Sequence, residues 1–179
     1  MGLEKKIAKT EFNIDVGFEF YYYPGGRAPV PRQIGYNTVE FYAVIAYKNF
    51  NIQFHNSLMD YFGENSHNPP TNWNKGRVIR PNGDSWGSIY VEANYSFSPW
   101  HKWTIALHAG YQAVSNYSQL NYMDWLAEIA YAFDWFELSL SYVQTNAKHA
   151  FYDVPNAAYK PKRRNLGGPT VVLGILKSF

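Results

Sequence analysis

From Glu11 to Tyr23 the chain places an apolar side chain at every second position. Phe12, Ile14, Val16, Phe18, Phe20 and Tyr22 share one side, and Asn13, Asp15, Gly17 and Glu19 take the other. Side chains alternate faces along a strand, so this spacing gathers the apolar groups on one face; at helical spacing they would scatter around the cylinder. The pattern recurs at Val39–Tyr47, Phe50–Phe54, Ile89–Phe97, Trp103–Tyr111, Met123–Phe133, Phe136–Tyr142 and Val171–Phe179. It predicts eight strands in a β-domain over residues 11–179, with residues 1–10 as an N-terminal tail or the remnant of a missing N-terminal region. Most of the strands run about ten residues, near the ~9–11 that a tilted strand needs to cross a bilayer.

The connections sharpen this expectation. Lys48-Asn49, Ser98–Lys102 and Asp134-Trp135 read as tight hairpin links. Between them lie long polar stretches, Pro24–Asn37, Phe62–Ser85, Ala113–Tyr122 and Thr145–Pro169. Short and long alternate without exception, which in an up-and-down sheet puts every short turn at one end. Outer-membrane barrels have that asymmetry, with short periplasmic turns and long extracellular loops. Aromatic residues cluster at strand ends: Phe97, Trp100, Trp103, Phe133 and Trp135 at the turn end, Tyr21–Tyr23, Tyr61, Phe62 and Trp86 at the loop end. Rings of this kind favour lipid–water boundaries.

Composition removes several classes. Mean hydropathy is −0.39, and no apolar run approaches the ~18 residues of a spanning helix. There is no Cys, hence neither a disulfide framework nor a Cys-based metal site. A net charge of +2 gives no argument for nucleic acid as a partner. Met1–Thr10 lacks the apolar core of a signal peptide, so for an exported protein the expectation is a leader already removed or an N-terminal stretch missing here.

The run Tyr21-Tyr22-Tyr23-Pro24-Gly25 resembles the Gcw-chp family, conserved proteobacterial proteins of unknown function that look like outer-membrane barrels. Val39–Ala43, Asp60–Gly63, Tyr90–Tyr95, His108–Gln112, Leu140–Asn146 and Lys177–Phe179 are similar to it in the same order. The resemblance implies a signal peptide and further strands ahead of Glu11–Tyr23. About four more would give a barrel of roughly twelve, although eight strands could also close alone. Phe179, with Val171, Leu173 and Ile175 behind it, also resembles the C-terminal signature read by the barrel-insertion machinery.

With the apolar face toward lipid, Asp15, Glu19, Glu40, Glu92, Asp124, Glu128 and Glu137 point inward, accompanied by His55 and His108. Rings of carboxylates favour cations in channels. The expected role is therefore an outer-membrane barrel acting as a small-solute or cation-preferring pore, with the lipid bilayer as its surroundings. If the acids instead pair with bases on absent strands, the barrel is non-conducting, with a structural or surface-binding role. A soluble lipocalin-like binding barrel is the reading of another class. The long loops are basic, and Lys160, Lys162, Arg163 and Arg164 are the candidates for binding lipopolysaccharide phosphates. No catalytic set, cofactor or metal-ligand spacing emerges: His55 and Ser57 share a strand face, which reads as a polar wall, and no enzyme is expected.

Overall fold

The computed structural model describes residues 2–7, 10–26, 34–72, 77–155, 163–164 and 167–177, without the side chains of 154–155 and 163–164. Nine strands form one antiparallel sheet in strict chain order: β1 Gly2–Lys6, β2 Phe12–Tyr21, β3 Thr38–Tyr47, β4 Phe50–Ser57, β5 Ile89–Phe97, β6 Trp103–Ala113, β7 Tyr122–Ala132, β8 Glu137–Thr145 and β9 Thr170–Leu176. Eight of these begin where the alternating segments begin, within a residue or a few. The ninth, β1, was not expected. Its sequence, GLEKK, has no apolar stripe; it is held by its ladder to β2, from Gly2 opposite Gly17 to Lys6 opposite Asn13, and the Asn13 side chain donates to Glu4.

The sheet is a meander with tight links at one end only. Lys48 and Lys102 take the left-handed conformation there, at φ 51° and 65°. The opposite end carries the long connections, which fold into small elements of their own. Thr71–Asn72 pairs with Arg77–Val78, Val154–Pro155 pairs with Arg163–Arg164, and single helical turns occur at Tyr61–Gly63, Ser118–Leu120 and His149–Tyr152.

The two faces of the sheet differ in the sense opposite to a soluble sheet. Apolar side chains stand out on the outer face: Ile45 is 56 % exposed and Ile175 71 %. The inner, polar face is the enclosed one, with Thr38, Glu40, Ser57, Gln112 and Ser141 all buried. The sheet is not closed into a barrel. Among the described residues β1 and β9 each have a single neighbour. As the first and ninth strands of an antiparallel meander, these two edges run in the same direction. Closure of the eight predicted strands on one another would have been antiparallel; direct closure of nine would not be.

Candidate functional site

The inner face is built by register. Opposite residues of neighbouring strands present the same face, so Glu19 opposite Glu40, and Glu40 opposite Ser57, form one polar row across β2, β3 and β4. Asp15, Glu92, His108, Asp124, Glu128 and Glu137 lie on this same face, on β2, β5, β6, β7 and β8. Glu137 stands apart at the turn end, opposite Ala132 and Leu176. Among the described residues, the inner face of β2–β8 carries no Lys or Arg.

Two clusters organise these groups. In the first, His108 Nε2 lies 2.6 Å from Asp124 Oδ1 and its Nδ1 2.8 Å from Asn94 Oδ1. The Tyr90 hydroxyl donates to Asp124 at 3.1 Å and sits 3.2 Å from His108 Nε2. Tyr90 reaches from β5 to β7 because β6 offers Gly110 between them. A Cβ there would lie 2.1 Å from the Tyr90 hydroxyl oxygen. In the second cluster, His55 Nδ1 lies 3.5 Å from Glu19 Oε2 and 3.7 Å from Glu40 Oε2, while Ser57 Oγ donates to Glu40 Oε1 at 3.1 Å. The His55 ring also neighbours Tyr42 and Tyr90, 6.2 and 6.1 Å between centroids.

A recess of about 340 Å³ opens over the second cluster, walled by Gln53, Glu92 and Gln112 and roofed by Tyr61 and Phe62. The roof is strained: Phe62 sits at φ 45°, ψ 39°, a conformation that bulky residues rarely adopt. The next residue, Gly63, has φ 76°, and a Cβ there would lie 2.7 Å from the Gly35 carbonyl oxygen. Asp60 and Ser85 fasten this turn. Asp60 accepts from the Ser85 amide and from Asn65 Nδ2, and Ser85 Oγ accepts from the Tyr61 amide at 2.7 Å. Behind the roof the loops form a hydrophobic core of Val114, Tyr117 and Leu120 with Tyr61, Ile79, Phe151 and Tyr152. Burial pushes the Tyr61 and Tyr152 hydroxyls up from their ordinary pKa and pushes the Glu64 carboxyl up to about 7.

Other sequence candidates fall elsewhere. Val171, Leu173 and Ile175 are on the outer face of β9 and exposed, whereas Phe179 lies outside the described residues. Lys160 and Lys162 also lie outside them; Arg163 and Arg164 are described only as backbone, paired with Val154–Pro155. Tyr61 and Phe62, read from sequence as rim aromatics, belong to the roof. His55, Tyr42, Tyr90 and Asn94 gain their importance from cross-strand register, which spacing along one strand does not reveal.

A single antiparallel meander with an acid-rich enclosed face and an exposed apolar face defines the class of the protein. Within that class, the family model described as "Bacterial protein of unknown function (Gcw_chp)" matches residues 1–179, and the chain belongs to this family. Comparison with curated proteins and with solved structures found no match.

Proposed function

We propose that this chain forms the wall of a bacterial outer-membrane β-barrel whose acid-lined inner face favours cations. The observation that carries the reading is the inversion of the sheet. Large apolar side chains are exposed along the outer face of every strand from β2 to β9, far more contiguous apolar surface than a water-soluble monomer shows. A soluble lipocalin-like barrel would turn that face inward. The turn end supports the same reading. Trp103, Tyr131, Phe133, Phe136 and Trp135 form a continuous aromatic run with centroid separations of 4.5–4.9 Å, as a girdle at a lipid boundary would.

In lipid the free edges of β1 and β9 need partners, because each unpaired backbone group costs several kcal/mol there. Since the two edges run the same way, an all-antiparallel wall closes through an odd number of additional strands. This also gives the even total of bacterial barrels.

Conductance across planar bilayers tests the cation reading. Under a salt gradient the reversal potential is expected on the cation-selective side; anion selectivity overturns it. The non-conducting alternative is favoured by one observation, the folded loop roof over the inner face. Bilayers that stay silent while the protein is inserted and migrates as a heat-modifiable band would decide for that alternative.

A further inference from the structure

We propose that Glu19, Glu40 and His55 form a binding site for one divalent metal ion of the zinc class. The inference goes beyond the cation-favouring wall and does not require conduction. One potential ligand atom from each residue lies within 4.8 Å of the others.

The spacing separates this cluster from its neighbour. His108 and Asp124, at 2.6 Å, are in direct hydrogen-bond contact, too close to be two ligands of one ion. His55 stands 3.5 and 3.7 Å from its two carboxylates, beyond the ~2.7–3.2 Å of an N–H···O bond. An ion with bonds of ~2.1 Å in tetrahedral geometry separates its ligands by ~3.4 Å. The observed distances therefore fit ligands around an ion better than a hydrogen-bonded pair.

Charge points the same way. Glu40 is only 8 % exposed and faces Glu19 across the β2–β3 ladder. Among the described residues no Lys or Arg shares that face of β2–β8. A buried carboxylate with a second carboxylate facing it calls for positive charge. A divalent ion supplies two units of it and takes imidazole nitrogen as a ligand. Glu40 is held from behind, its Oε1 accepting from the Ser57 hydroxyl at 3.1 Å while its Oε2 faces His55, as ligands of metal sites commonly are; the Tyr21 hydroxyl donates at 2.9 Å to Glu19 Oε2, the oxygen that itself faces His55. The recess above has room for a water as fourth ligand. An imidazole with two carboxylates suits Zn²⁺ and its neighbours better than Mg²⁺.

The test is Zn²⁺ titration of the full chain, folded in detergent and freed of metal, by calorimetry. One ion per chain is expected, uncontested by a hundredfold excess of Mg²⁺. Co²⁺ in its place should give the intense visible absorption of a tetrahedral site. His55→Ala and Glu40→Gln should weaken Zn²⁺ binding by about tenfold or more, and His108→Ala should leave it unchanged. Glu19→Gln serves as the variant least able to disturb folding, because the Glu19 side chain is 41 % exposed. Heat-modifiable migration checks the fold of each. Binding that is absent, that Mg²⁺ displaces equally, or that survives Glu19→Gln and His55→Ala overturns the site. The pore reading stands or falls separately, on conductance.

Discussion

The sheet and the loop cap solve the problem of burial in opposite ways. In the cap, Val114, Tyr117 and Leu120 are buried and Tyr117 is wholly inaccessible, as in an ordinary soluble core. In the sheet the enclosed groups are Glu40, Ser57, Gln112 and Ser141, and the apolar side chains stand outside. The cap therefore owes its stability to water exclusion, and the sheet to its backbone ladder and whatever covers its apolar face. Conditions and substitutions that act on one region should leave the other largely intact.

The largest effect is expected from Tyr117→Ala. The ring fills the centre of the cap and its hydroxyl donates to the Gly83 carbonyl at 2.7 Å. Removing a buried aromatic costs ~3–5 kcal/mol. Amide exchange should accelerate across residues 58–88 and 114–121 while the strands stay protected; equal acceleration of both regions would break the comparison.

Leu107→Arg probes the sheet. Leu107 lies mid-strand on the outer face of β6 and is exposed. In water such a change falls within about ±0.5 kcal/mol. At the midplane of a bilayer it costs ~2–4 kcal/mol. Urea titration of the protein folded into vesicles should show the larger value. A near-zero effect in vesicles would detach the apolar face from lipid.

The cap also carries a pH dependence. Glu64 is held up to about 7 by burial, from an ordinary 4.5. The folded cap thus keeps a proton that the unfolded chain has released. Its contribution is whole below about 4.5, declines as pH rises, and is lost above about 7, a change on the order of 3 kcal/mol. Protection of the Tyr61–Asn65 amides, taken relative to the intrinsic rise of exchange with pH, should fall across that window, and Glu64→Gln should flatten the dependence. A wild-type profile without slope would refute it.

These contrasts also show what a sequence of this kind reveals. Phe18 beside Glu19 declares a strand and assigns each residue to a face, because the alternation is local. That is why eight strands, their tight links and the acid-bearing face were all legible. Register is not local. That Glu19 meets Glu40, or that Tyr90 crosses to Asp124, follows from pairing between strands that no single segment specifies. β1 escaped for another reason: Gly2–Lys6 has no stripe, and its ladder with β2 supplies the order that its side chains do not. The cap lies inside stretches that read as polar loop, where Tyr117 is flanked by Ser115, Asn116, Ser118 and Gln119.

The smallest effect tests whether the inner face is packed by shape as well as by charge. Gly110 lies beneath the Tyr90 ring, and a methyl there would come within 2.1 Å of the hydroxyl oxygen and 2.6 Å of the carbon bearing it. Neither strand backbone need move, because the ring can swing away. Doing so gives up the hydrogen bonds to Asp124 and the contact with His108. Gly110→Ala should therefore cost about 1–2 kcal/mol, within the range of overpacking and of a lost hydrogen bond to a charged group. The same substitution in a Tyr90→Ala background should cost close to nothing, because the obstructing ring is gone. A double-mutant cycle reads the difference directly. Strong coupling would mean that the polar face, like the cap, depends on fitted side chains. Coupling near zero would mean that the inner face tolerates repacking and only the placement of its charges matters.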